Sequence, residues 1–141
     1  MSKIILVLIF GLVLSDRIVA QTTKDWTTLT VNKGCTVNKK YCDSRLNIDG
    51  KDKATFTPCG QKAKIISIDE KILTRLQSVS KKQVKYWREN TSIDTACGYL
   101  IKLDNSTTDY YVVLDVSPDW YDQKDIKDFI LTLNELFEKV E

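Results

Sequence analysis

The chain has 141 residues, 43% of them hydrophobic and 28% charged, with 21 Lys and Arg against 19 Asp and Glu. That balance excludes a disordered charged tail and a multi-span membrane protein, and it suits one domain. Histidine is absent, which removes the usual general base behind a Ser or Cys nucleophile and excludes Ser-His-Asp, Cys-His and HExxH chemistry.

The first element is an apolar run from Ile4 to Leu14 behind Lys3, ending at Ile18-Val19-Ala20 before Gln21. A small residue at that point suits signal-peptidase cleavage. As a helix the run rises only about 16 Å against a hydrocarbon core of about 30 Å, too short for an anchor. Residues 1–20 therefore read as a signal peptide and 21–141 as a single secreted globular domain, extracellular and without stable membrane insertion after cleavage. Charge is uneven along that domain. Residues 21–97 carry 15 basic and 8 acidic side chains, whereas residues 98–141 carry 4 and 10. Two segments of opposite sign are expected to pack together and neutralise each other rather than leave one basic face.

Trp26 to Asn32, rich in Thr and β-branched residues, predicts a strand. Cys35, Cys42, Cys59 and Cys97 follow. An even number of cysteines in a secreted chain predicts two disulfides. Three connectivities exist. Spacing favours Cys35–Cys42 with Cys59–Cys97, and Cys35–Cys59 with Cys42–Cys97 stands close behind. A zinc site would need CxxC pairs or His, and neither is present.

Arg45–Ile48 and Lys53–Thr57 flank Asp49-Gly50, a dipeptide suited to a hairpin turn. The same segment fails as a calcium loop, because Arg45 and Phe56 occupy the two anchoring positions. Lys62 to Ile68 predicts another strand. Helical spacing begins after Asp69-Glu70, with Ile72, Leu76 and Val79 on one face. Ser80 and Gln83 match a capping box, so a second helix or a kinked continuation runs from about Ser80 to Glu89, with Val84 and Trp87 inward.

Gly98–Leu103 and Tyr110–Val116, joined by the polar turn Asp104–Asp109, form the clearest hairpin. The second strand is apolar on nearly both faces and is expected in the centre of a sheet. A last helix, about 122–140, carries a broad stripe of Ile126, Phe129, Ile130, Leu133, Leu136, Phe137 and Val140. The predicted fold is α+β: a mostly antiparallel sheet packed by a central helix over about 69–89, with a break point near Ser80, and by the C-terminal helix, stapled by two disulfides.

Candidate sites are few. Asn90-Thr91-Ser92 and Asn105-Ser106-Thr107 are N-glycosylation acceptors placed on loops. Lys81, Lys82, Lys85 and Arg88 with Tyr86 make a basic, aromatic helix surface able to bind an anion. Asp119, Asp122, Asp125 and Asp128 read as charges complementing a helix N-terminus rather than as metal ligands. Trp120 and Tyr121 are expected to anchor the start of the last helix. No catalytic residue, metal site or cofactor motif is assigned, and no nucleic-acid partner is expected.

The expected function is that of a small secreted binding protein, effector-like, acting on an extracellular protein or glycan. Two alternatives are a carrier of a small apolar ligand and a hydrolase built on a pair of carboxylates. The sequence leaves the oligomeric state open.

Overall fold

The structure is a computed structural model and describes residues 24–37, 40–49, 53–91 and 95–141. The signal-peptide reading of residues 1–20 lies outside the described residues. So does Gly50 of the first predicted turn.

Six strands, β1 (Leu29–Val37), β2 (Lys40–Ile48), β3 (Ala54–Thr57), β4 (Lys64–Ile66), β5 (Cys97–Leu103) and β6 (Tyr111–Asp115), form one antiparallel sheet. Its order is β4-β3-β2-β1-β5-β6. The first four strands form a meander. The chain then crosses back through helices α1 (Glu70–Gln77) and α2 (Lys81–Asn90) to lay β5 on the free side of β1. After β6, a 3₁₀ turn at Pro118–Trp120 leads into α3 (Lys124–Val140).

The predicted break near Ser80 is a true helix boundary. The Gln83 amide donates to Ser80 Oγ at 3.1 Å and Gln83 Oε1 accepts from the Ser80 amide at 3.0 Å, completing the capping box. The Trp26 indole N–H donates to the Val79 carbonyl at 2.8 Å, and Asp25 accepts the Lys81 amide at 2.9 Å. The segment ahead of β1 thus pins the junction between α1 and α2.

Alternation along each strand divides the sheet. Leu29, Val31, Leu46, Ile48, Phe56, Tyr99, Ile101, Leu103, Val112 and Leu114 are buried, and join Ile72, Leu76, Val84, Trp87 and the α3 stripe in one core. Phe137 of α3 meets both Phe56 and Tyr99, and Trp87 of α2 meets Phe129. All three helices therefore contribute to a single helical layer on one face of the sheet, and area removed from water supplies most of the driving force.

Two sequence expectations are corrected. Tyr111–Asp115 is an edge strand, not a central one. Its inner residues Val112 and Leu114 are buried, while outer Val113 is 43% exposed; the central place belongs to β1, which has partners on both sides.

The disulfides are Cys35–Cys97 and Cys42–Cys59, neither of the pairings that spacing favoured. Cys35 stands opposite Cys42 on one side and Cys97 on the other. The Thr36 amide bonds the Ala96 carbonyl, so Cys35 and Cys97 form a pair without backbone hydrogen bonds between them. In such pairs side chains stand closest, and the Cα atoms here are 4.1 Å apart. Cys42 is left for Cys59, which follows β3 at the same end of the sheet, where the Cys59 amide also donates to Ser44 Oγ.

Candidate functional site

The face of the sheet away from the helices is uncovered among the described residues. Strand register places its side chains in rows. One row runs Thr57, Arg45, Asn32, Leu100, Val113; the next runs Ile65, Thr55, Asn47, Thr30, Lys102, Tyr111. At the centre is a shallow groove of about 220 Å³ lined by Thr30, Asn32, Arg45, Asn47, Lys102 and Asn105.

Polar groups of the groove are loosely held. Thr30 Oγ1 lies within reach of Asn47 Oδ1 at 3.3 Å and of Asn105 Oδ1 at 3.4 Å. Asn32 Nδ2 donates to Asp43 Oδ2 at 3.1 Å, while Asp43 Oδ1 is shielded from solvent and has no partner among the described residues. Arg45 and Lys102 form no ion pair there. Three of the five ion pairs among the described residues, Lys33–Glu141, Arg75–Glu135 and Lys81–Asp104, link the basic part of the chain to its acidic part. The two segments thus meet at three points, and Arg45 and Lys102 are among the cations outside these pairs.

The predicted basic surface of α2 is divided. Lys81 Nζ turns to Asp104 at 3.0 Å and lies over the Tyr110 ring. Arg88 reaches past the β6 edge, donating to the Thr108 carbonyl and stacking 4.4 Å from the centre of the Tyr111 ring. Lys82, Lys85 and Tyr86 remain exposed on the helix. The five residues therefore do not form one patch. Two brace the hairpin from β5 to β6, and Arg88 brings its charge to the rim of the outer face.

Asp104 organises that brace. Its Oδ1 accepts from the Thr27 amide at 2.7 Å, Thr27 Oγ1 at 2.8 Å and the Thr28 amide at 3.0 Å. Burial alone would raise its pKa. These amides, Lys81 and the Thr27 hydroxyl outweigh burial and hold the carboxyl well below the usual carboxylate range. Asp104 and Asn105 both adopt left-handed backbone, with φ 51° and 54°, conformations that Asp and Asn tolerate.

Asn105 is exposed on this turn, at the edge of the groove. Asn90 ends α2, its Nδ2 donating to the Tyr86 carbonyl at 2.8 Å. The expected anchoring by Trp120 and Tyr121 splits: Tyr121 is buried with its hydroxyl accepting from the Asp115 amide at 2.7 Å, whereas Trp120 is 73% exposed.

The aspartates before and within α3 do not converge. Asp125 accepts the Trp87 indole N–H at 2.8 Å, and Asp128 pairs with Lys124. Both line a groove of about 390 Å³ between the α1–α2 junction and α3, with Arg75, Phe129 and Leu131. This mixed, open groove resembles neither an enclosed apolar cavity nor a pair of acid and base. The carboxyl groups whose titration is displaced, Asp104 and Glu135, are both held low, Glu135 chiefly by Lys139.

The sequence assigned no binding role to Thr30, Asn32 or Lys102, and Arg45 and Asn47 entered only as part of a strand and of a calcium loop that fails. Their signal is the alternation of polar positions in β1 and β2. That alternation marks a solvent face without saying whether another layer covers it. The chain matches no family model, no curated protein and no solved structure.

Proposed function

We propose that this is a secreted, disulfide-stapled binding protein that recognises an extracellular protein or glycan through the outer face of its sheet. The observation that carries this reading is the position of Arg45 and Lys102. Both cations line a polar groove on an uncovered face while Lys33, Arg75 and Lys81 are matched to carboxylates. Two cations over a groove of Asn and Thr groups offer a partner hydrogen bonds and positive charge together. Two disulfides accord with an oxidising compartment.

The test uses the full chain secreted from eukaryotic cells, labelled and applied to intact cells and to extracellular matrix. Saturable binding that Arg45→Glu with Lys102→Glu abolishes, without change in thermal midpoint, supports the reading. Saturable binding unaffected by the double substitution overturns it.

A further inference from the structure

We propose that the outer face takes a sulphated glycan chain, laid across β2, β1 and β5 with its sulphate groups on Arg45 and Lys102. This rests on the reading of the outer face as the recognition surface and names the chemistry of its ligand.

Geometry supplies the first argument. Arg45 on β2 and Lys102 on β5 stand on either side of β1. Two strand spacings and one step along the sheet separate their backbone positions, on the order of 10 Å, a span that suits two anionic groups on an extended chain. Arg88, stacked on Tyr111, adds a third cation at the end of the Lys102 row. Negative charge bounds the groove on both sides: the row toward the disulfides carries Asp43 and Asp115, aligned through Gly34 and Gly98, and Asp49 adjoins Asn47 on the other. An anionic chain is thereby confined to the rows of Arg45 and Lys102.

The uncharged lining supplies the second. Thr30, Asn32 and Asn47 present hydroxyl and amide groups, and the Nδ2 atom of Asn47 has no acceptor among the described residues. Such groups exchange hydrogen bonds with sugar hydroxyls. A protein partner would want an apolar centre, yet the exposed apolar residues Ile65 and Val113 lie on the two opposite edge strands. That separation also disfavours a lipid surface. Single-stranded nucleic acid would want free aromatic faces, and the Tyr111 ring is occupied by Arg88.

Binding of a size-defined heparin octasaccharide to the full secreted chain, beside its desulphated counterpart, tests the proposal. Expected are saturable binding of the sulphated chain that weakens with added salt and a loss of roughly tenfold to a hundredfold in Arg45→Gln with Lys102→Gln, the fold being checked by an unchanged circular dichroism spectrum. Equal binding of the desulphated chain would overturn it. So would loss in Lys82→Gln with Lys85→Gln instead, which would return the site to α2. Absence of octasaccharide binding overturns the ligand class alone when cell binding is still abolished by Arg45→Glu with Lys102→Glu; when that too is unaffected, the outer face is not the recognition surface.

Discussion

Lys81 Nζ lies 3.0 Å from Asp104 Oδ2, so the first residue of α2 is tied to the turn between β5 and β6. The other oxygen of Asp104 receives the amides of Thr27 and Thr28, directly before β1. One carboxylate thus joins the entry to the central strand, a helix start and a hairpin turn, at the end of the sheet opposite the disulfides.

Asp104→Ala removes the acceptor of two backbone amides and is expected to cost about 2 kcal/mol, read as a lowered denaturation midpoint. The pH dependence has a definite sign. Because the folded-state pKa is depressed below the ordinary 3.8, the stabilisation is fully present above about pH 4 and is lost as pH falls below it. Denaturant titrations between pH 7 and pH 2 should show wild type losing more stability than Asp104→Ala. Parallel losses would deny Asp104 this role.

Non-reducing peptide mapping should recover Cys35 linked to Cys97 and Cys42 linked to Cys59. Removing a bridge is expected to cost about 4 kcal/mol for the first, which spans 62 residues, and about 3 kcal/mol for the second, which spans 17. Paired Cys→Ser variants compared by denaturation check the order.

Tyr99 is fully buried on β5 and its hydroxyl donates to Asn134 Oδ1 at 2.6 Å. Burial pushes its pKa above the ordinary 10.0, aided by Glu141 and Glu138. The folded state therefore disfavours the phenolate: its stabilisation is full below about pH 10 and is lost as pH rises beyond it. Tyr99→Phe should cost about 1 kcal/mol at neutral pH by leaving Asn134 Oδ1 without its donor, and should flatten the alkaline loss of stability seen in wild type.

Glycan occupancy is expected to differ between the two acceptor sites. Asn105 is exposed with a free Nδ2, whereas Asn90 spends its Nδ2 on the Tyr86 carbonyl. Mass analysis of protein secreted from eukaryotic cells should find Asn105 more fully occupied. Because Asn105 lines the groove of Arg45 and Lys102, Asn105→Gln, which removes the glycan without adding charge, should strengthen outer-face binding by several-fold. Preferential occupancy of Asn90 would contradict the first expectation, and unchanged binding the second.

Local patterns carried most of the fold. Alternation in β1, β2 and β5, the helical stripe of α3, and the Ser80–Gln83 capping box each depend on neighbours within a few residues, so they were legible before any tertiary contact was known. The parity of the cysteines likewise predicted two bridges. Their partners were not legible, because Cys35 has a cysteine opposite it on both sides and only the strand order and hydrogen-bond phase select Cys97.

Composition and periodicity by themselves determined an α+β domain without histidine-based catalysis. Only the tertiary structure decided which strand lies at the edge, that Lys81 and Arg88 turn from the α2 surface to the hairpin, and that Arg45 and Lys102 share a groove. Periodicity tells which residues share a face of one strand. It does not tell which strands stand side by side, or which face the helices leave open, because those follow from long-range packing.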